Sequence, residues 1–210
     1  MNKKISVITP SYLGEYENCA SDRENKFIRA VNSFIANTYE NKELVIIGDS
    51  CDITERLLTE NFSKEIEQKQ IIYHRFEKKQ KLFSGKLRTK GIELATGDII
   101  TYLDTDDFIG VFHLKAITDQ IYTEDLDWCY FNNFMNTDGG LMKKETELEH
   151  TFIGTSCIAH LKHPNIDWRR CNGYGHDWKF IKRLIKWSSN YYKAFGCMYV
   201  VCHVPKQFDR

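Results

Sequence analysis

The sequence predicts an α/β protein: a mostly parallel central sheet flanked by helices, in a single domain over residues 1–210. Three observations predict it. Short apolar runs alternate with stretches of helical spacing through the first hundred residues, the pattern of βαβ units. Polar clusters follow three of these runs, and parallel sheets present ligand sites at the carboxyl ends of their strands. No linker, repeat or low-complexity segment interrupts the 210 residues, a length that suits one large domain.

The elements follow in order. KISVITPSY (4–12) reads as a buried strand ending at Pro10, and a long polar loop (13–25) follows. In 26–37, Phe27, Ile28, Val31, Phe34 and Ile35 recur at helical spacing. KELVIIGDS (42–50) is a second strand, closed by Gly48, Asp49 and Ser50. Residues 52–68 read as one helix capped by Asp52. QIIYHRF (70–76) is a third strand, 85–95 a short helix closed by Gly97, and DIITYL (98–103) a fourth strand. Further on, 126–135 and 151–160 read as strands, with the turn signal TDGG between them. HDWKFIKRLIKW (176–187) is an amphipathic helix, and 197–204 a last strand.

Composition excludes several classes. Lys+Arg and Asp+Glu are equal at 29, so the net charge is zero, which disfavours a non-specific nucleic-acid binder. Aromatics at 13% with only three prolines argue against a disordered chain. Seven cysteines without a C-x-x-C disfavour a zinc ribbon or a disulfide framework and point to free thiols in the cytoplasm. No signal peptide is evident, and no apolar run reaches the ~18 residues of a membrane span, so any membrane contact is expected to be peripheral.

The densest chemistry is Asp104-x-Asp106-Asp107 behind the fourth strand. Such a carboxylate pair suits Mg²⁺ or Mn²⁺, which bind through one or two carboxylates plus substrate phosphates. Taken alone, the run reads about equally well as a solvated turn capping the next helix. A phosphatase of the haloacid-dehalogenase type also uses D-x-D, but behind its first strand. No G-x-G-x-x-G and no P-loop occur, so a phosphate ligand would need a metal or basic side chains, with Lys86 and Arg88 in reach.

SVITPSY, ELVIIGDSCD, KLRTKGIELATGDIITYLDTDD and GYGHDWKFIKRL, in this order, resemble the inverting glycosyltransferases of family 2, which have the GT-A fold. The resemblance runs from Lys4 to about Leu184. It implies a metal-dependent transfer from a nucleotide-sugar, with UDP favoured and dTDP open, to a saccharide or other hydroxyl acceptor. Residues 1–107 would bind the donor and 108–210 the acceptor. Thr9, Pro10 and Tyr12 would contact the nucleotide base, and Asp49 would accept from its imide. Arg88 would lie near the nucleotide, Asp104 near the ribose or metal, and Asp106 would ligate Mn²⁺ or Mg²⁺. His203 would hold metal or diphosphate, and Asp177 would be the catalytic base. Departures are the shortened run Gly48-Asp49-Ser50, His176 where an acidic residue usually precedes the base, and the lack of Q-x-x-R-W. A processive synthase is thereby disfavoured. The alternative from another class is a non-catalytic nucleotide-sugar binding module of the same fold.

Overall fold

The computed structural model describes residues 3–80 and 85–210. Its centre is a seven-stranded sheet in the order β10-β6-β9-β4-β1-β2-β3. The strands are β1 (Ile5–Ser11), β2 (Lys42–Asp49), β3 (Ile71–Phe76), β4 (Ile99–Tyr102), β6 (Trp128–Phe131), β9 (Ile158–Leu161) and β10 (Tyr191–Ala194). β3, β2, β1 and β4 run parallel, as do β6 and β10, while β9 pairs antiparallel with both β4 and β6. A smaller sheet joins β5 (Phe108–Ile109), β11 (Tyr199–Val201), β7 (Asn133–Thr137) and β8 (Gly140–Lys144). A hairpin of β12 (His203–Val204) and β13 (Phe208–Asp209) lies near the chain end.

Alternation along the central strands builds two cores. Val7, Leu44, Ile46 and Ile99 face one side, where α1 (Arg23–Ile35), α2 (Asp52–Asn61) and α5 (His113–Thr123) pack. Ile8, Val45, Ile47 and Ile100 face the other, against α4 (Gly85–Leu94) and α6 (His176–Trp187). The central strands are buried on both faces, which is why they read as unbroken apolar runs. α4 lies so close to β1 that a Cβ on Gly91 would stand 2.5 Å from Ile8 Cγ2. Glu43 is a buried clamp at the other end of these strands. It accepts from Ser6 Oγ (2.6 Å), Thr96 N (2.5 Å) and Thr96 Oγ1 (2.6 Å), and pairs with Lys4.

The structure revises several predicted bounds. The helix expected over 52–68 is two, α2 and α3 (Ser63–Glu67), because Phe62 leaves helical geometry (φ −135°) to bury its ring. The strand expected over 126–135 breaks at Asn132, whose side chain accepts from Thr146 N, and its halves join different sheets. The strand expected over 151–160 begins only at Ile158, after a 3-10 turn (Thr155–Cys157). The last predicted strand breaks at Cys202, whose N–H turns to Asp107 Oδ1 (2.8 Å). No helix among the described residues is long and apolar enough to cross a membrane.

Two histidines are buried neutral. His160 Nδ1 donates to Leu161 O (2.8 Å), so its Nε2 accepts from the Tyr102 hydroxyl (2.8 Å), which in turn accepts from Trp168 Nε1 (2.9 Å). Burial lowers its pKa to about 4, and that of His113 to about 3. Both are depressed below the unfolded value of about 6.5. The unfolded chain therefore binds protons that the native chain refuses as the pH falls below that value. The stability these sites contribute is present above pH ~6.5 and is lost toward pH 4 and 3, by up to ~1.4 kcal/mol per pH unit for each histidine. Urea unfolding is expected to show a lower midpoint at pH 5 than at pH 7. Coincident midpoints would mean that the two rings are not held neutral.

Candidate active site

The carboxyl ends of β1, β2 and β4 open into one cleft of about 390 Å³, closed on the far side by the start of α6 and by the β12 segment. Of the nine site residues predicted from sequence, Pro10, Tyr12, Asp49, Arg88, Asp104, Asp106, Asp177 and His203 line it. Thr9 does not. Its side chain is buried in β1 and its Oγ1 has no hydrogen-bond partner among the described residues, while Ser11 and Tyr12 line the cleft.

One end is aromatic and acidic. The Tyr12 ring carries Lys79 Nζ over its face at 3.5 Å, a cation–π contact. Arg23 donates to the carbonyls of Tyr12 and Gly14, which fixes the loop beneath that ring. Asp49 closes β2 and accepts from Gln80 N (2.6 Å) through Oδ1. Burial pushes its carboxyl up, while the Gln80 bond and the Lys79 charge pull it back only in part. An N–H donor arriving here would meet an acceptor that gains from being paired.

The three aspartates behind β4 have separate surroundings. Asp107 is buried and takes the Tyr199 hydroxyl (2.8 Å) and Cys202 N (2.8 Å). Burial, then Asp106 and Asp104, push its carboxyl well above the usual range. Asp104 receives Arg88 at 3.1 Å. Asp106 receives no hydrogen bond from another residue's side chain or backbone among the described residues, and burial followed by Asp104 raises its carboxyl. An oxygen donor crowded by a second carboxylate and lacking a partner suits a hard divalent cation. Among the described residues no three His, Cys, Asp or Glu side chains form a complete cage. This accords with Mg²⁺ and Mn²⁺ sites that take the rest of their ligands from phosphate and water.

Asp177 stands in the first turn of α6, where the helix N-terminus favours negative charge. Its Oδ1 meets His176 Nε2 (2.9 Å) and Thr155 Oγ1 (3.2 Å). Burial alone would raise this carboxyl. The His176 hydrogen bond and charge, with Arg88 and Thr155, outweigh burial and leave it below the usual carboxylate range. Arg88 Nη1 also stands 3.4 Å from His176 Nε2, the same ring nitrogen that faces Asp177, so the two contacts compete for one atom. A polar chain thus runs from Asp104 through Arg88 and His176 to Asp177. Arg88 is held flat by Trp168, 5.0 Å from the ring centroid, which itself stacks on Phe180 at 4.0 Å.

His203 lines the cleft, but its nitrogens already face protein atoms. Nε2 donates to Asn18 O (3.0 Å), and Nδ1 lies 3.2 Å from Asp209 Oδ1 without hydrogen-bond geometry. Sequence reasoning missed Tyr16, Arg23, Lys79, Thr155 and Ser156, all of which line the cleft. They come from loops, a 3-10 turn and the first residue of α1, without motif spacing. The one signal that could have found any of them was the unusual length of the 13–25 loop.

Comparison with known proteins agrees with this geometry. The family description "Glycosyl transferase family 2" matches residues 6–186. Glycosyltransferase GlyG of Streptococcus pneumoniae serotype 4 is 23% identical over 184 residues, 86% of this chain and 53% of that protein. The chain thus spans about half the length of this curated relative. S. aureus TarS superposes with a TM-score of 0.72 at 17% identity, covering 94% of this chain and 36% of TarS. Mannosyltransferase PcManGT from Pyrobaculum calidifontis, solved with GDP-Man and Mn²⁺, superposes with a TM-score of 0.66 at 12% identity, covering 99% of this chain and 59% of that one. The fold is that of the GT-A glycosyltransferases, and the chain belongs to glycosyl transferase family 2.

Proposed function

We propose that the cleft transfers a sugar, with inversion, from a nucleoside-diphosphate donor to an acceptor hydroxyl, and that the donor is UDP-linked. The observation that carries this reading is the division of the carboxylates. Asp106 is crowded and unpartnered, while Asp177, in the same cleft, is kept ionised by His176, Arg88 and Thr155. One carboxylate cannot both ligate a metal and take a proton, and here the two tasks have two residues.

In this reading Tyr12 stacks on the base, beside Pro10, and Asp49 accepts from the imide N–H of uracil. Asp104 faces the ribose or the metal, with Arg88 holding it in place. Asp106 is the anchoring ligand for Mn²⁺ or Mg²⁺, and His203 stands on the diphosphate side. The metal, when bound, neutralises charge that builds on the leaving diphosphate. Asp177 takes the acceptor proton as the new bond forms. Support for a nucleotide donor comes from relatives of the same fold. TarS 1–349 has been solved with UDP and with UDP-GlcNAc, and PcManGT with GDP-Man and Mn²⁺. Membership of the family leaves no place for the phosphatase alternative.

Asp106→Ala is expected to reduce UDP affinity in Mn²⁺ to its metal-free level while leaving the fold intact. Calorimetry with and without Mn²⁺ checks this, and a persistent metal-dependent gain would assign the metal elsewhere. Asp49→Ala is expected to weaken UDP binding by ~1–3 kcal/mol, since it leaves the imide N–H without an acceptor at a buried position. Unchanged affinity in the same titration would remove Asp49 from the base site.

Asp177→Asn keeps the shape but removes the charge and cannot take a proton. Donor and metal binding are expected to persist, while transfer falls by ~10²–10⁴-fold, the usual share of a general base. A transfer assay run beside donor titrations checks both. Near-normal transfer would leave Asp177 as a helix-start residue, whose charge stabilises the first turn of α6 without taking part in the chemistry.

A further inference from the structure

Two cavities of about 530 and 470 Å³ open on the outer side of α4 and α6 and share no lining residue with the catalytic cleft. They meet at Arg169 and Arg170, which line both. Lys179 and Arg183, one helical turn apart on α6, line the first, and Lys86 and Lys90, one turn apart on α4, line the second. Against these six cations stand Glu93 and Asp167 in a chain whose net charge is zero. The strip gathers positive charge in a concave surface of a neutral molecule.

Its acids are already committed. Asp167 is 7% exposed and accepts from Arg169 N (2.8 Å), Arg169 Nε (2.6 Å) and Arg183 (3.2 Å). Arg183 also donates to Arg169 O (2.6 Å), and Lys179 to Asn172 O (2.7 Å). Two guanidinium groups and an ammonium are therefore positioned before any ligand arrives, which cuts the ordering cost of binding. Arg170 differs. Its side chain makes no hydrogen bond or ion pair with the described residues, and its backbone is left-handed at φ +69°, where Gly or Asn would cost less. An exposed, unpaired arginine thus marks the junction of the two cavities. His74 and Phe76, edge to face at 5.5 Å, add an aromatic surface beside the cations of the second cavity.

We propose that this groove binds the phosphate groups of an anionic, phosphate-bearing chain that serves as acceptor. As an acceptor site it rests on the transferase reading, whereas the binding itself does not. Charge complementarity selects phosphate, and the concave form selects a chain over a flat bilayer. The aromatic surface gives sugar units between phosphates a face to lie on. The position fits delivery to the cleft. The groove loop continues through 173–175 directly into α6 and Asp177. Asn172 Oδ1 accepts from Gly85 N (2.9 Å) at the start of α4, the helix that carries Arg88 into the cleft.

The test uses a short fluorescent abasic deoxyribose-phosphate chain, a linear sugar-phosphate without bases, with UDP and Mn²⁺ present to fill the donor cleft. Saturable binding by anisotropy is expected. The double variant Arg170→Glu/Lys90→Glu is expected to weaken it by about tenfold or more. It is also expected to make the log–log salt dependence shallower by about 0.7 for each phosphate the groove no longer neutralises. Lys64→Glu, on α3, is expected to leave binding unchanged, and UDP affinity is expected to be unchanged in both variants. Binding no tighter than to a neutral oligosaccharide would overturn the proposal. So would an equal loss in Lys64→Glu, capture only by anionic vesicles, or a requirement for nucleobases. UDP titrations on the same samples keep a failure of the transferase reading distinct, since the abasic chain is scored without any transfer step.

Discussion

Three carboxylates at the end of one strand cannot share one environment, and the way they are separated organises this molecule. Asp107 turns inward and is buried against Tyr199 and Cys202, the two residues that tie the small sheet to the end of β4. The Tyr199 hydroxyl also accepts from Asp104 N (3.0 Å), so a single side chain fixes both flanks of Asp106. Crowding raises the cost of ionising all three. The fold answers it three ways: a hydroxyl and a backbone N–H for Asp107, a guanidinium for Asp104, and an open side for Asp106. Arg29 donates to the Asp106 carbonyl (2.7 Å), which holds the turn from α1 as well. The interaction that closes the second sheet is thus the one that presents Asp106 to the cleft.

The second constraint is reach. The aromatic and acidic end of the cleft is built on β1, β2 and β4, whereas Asp177 comes from α6, far along the chain from all three strands. Arg88 spans this gap because α4 packs closely on β1, and the absence of a Cβ at Gly91 permits that approach. Its guanidinium then faces Asp104 on one side and His176 on the other. Displacing α4 outward would separate both pairs at once. The core packing of Gly91 against Ile8 is therefore a condition of the site's electrostatics.

Much of the first half was legible because its signals are local. Strands buried on both faces read as apolar runs, and polar clusters follow β1, β2 and β4. The D-x-D lies where β4 stops, and eight of nine predicted site residues reach the cleft. Thr9 misled because it lies two residues short of the end of β1, where its side chain is buried inside the sheet instead of at the open end. The second half was less legible because its strands are short and change sheet. Asn132 and Cys202 are single-residue breaks made by a side-chain amide and by a carboxylate distant in sequence, which no local pattern encodes. Sequence reasoning also missed α5, although Leu114, Ile117 and Ile121 keep helical spacing. Lys79 had no sequence signal at all, since its place over Tyr12 exists only once β1, β2 and β3 are assembled.

The surroundings of Asp177 contain an apparent conflict. A carboxylate held below its usual range is a weak base, yet it must be ionised to act at all. The geometry divides the demands between its two oxygens. Oδ1 takes the His176 and Thr155 contacts, which keep the group charged and fix its rotamer. Oδ2 accepts no hydrogen bond among the described residues and faces Gly154, where an added Cβ would stand 3.4 Å away. Gly154 has an extended backbone that any residue could adopt, so conformational freedom does not account for a glycine there. Space does: the missing side chain leaves the free oxygen open to the cleft, which Gly154 itself lines. In the proposed reaction this is the atom that meets the acceptor hydroxyl. As Oδ2 gains its proton, His176 and Arg88 lose a charged partner, and that loss sets the cost of protonation. In that reaction His176, directly before Asp177, trades basicity for a carboxylate that stays ionised and oriented.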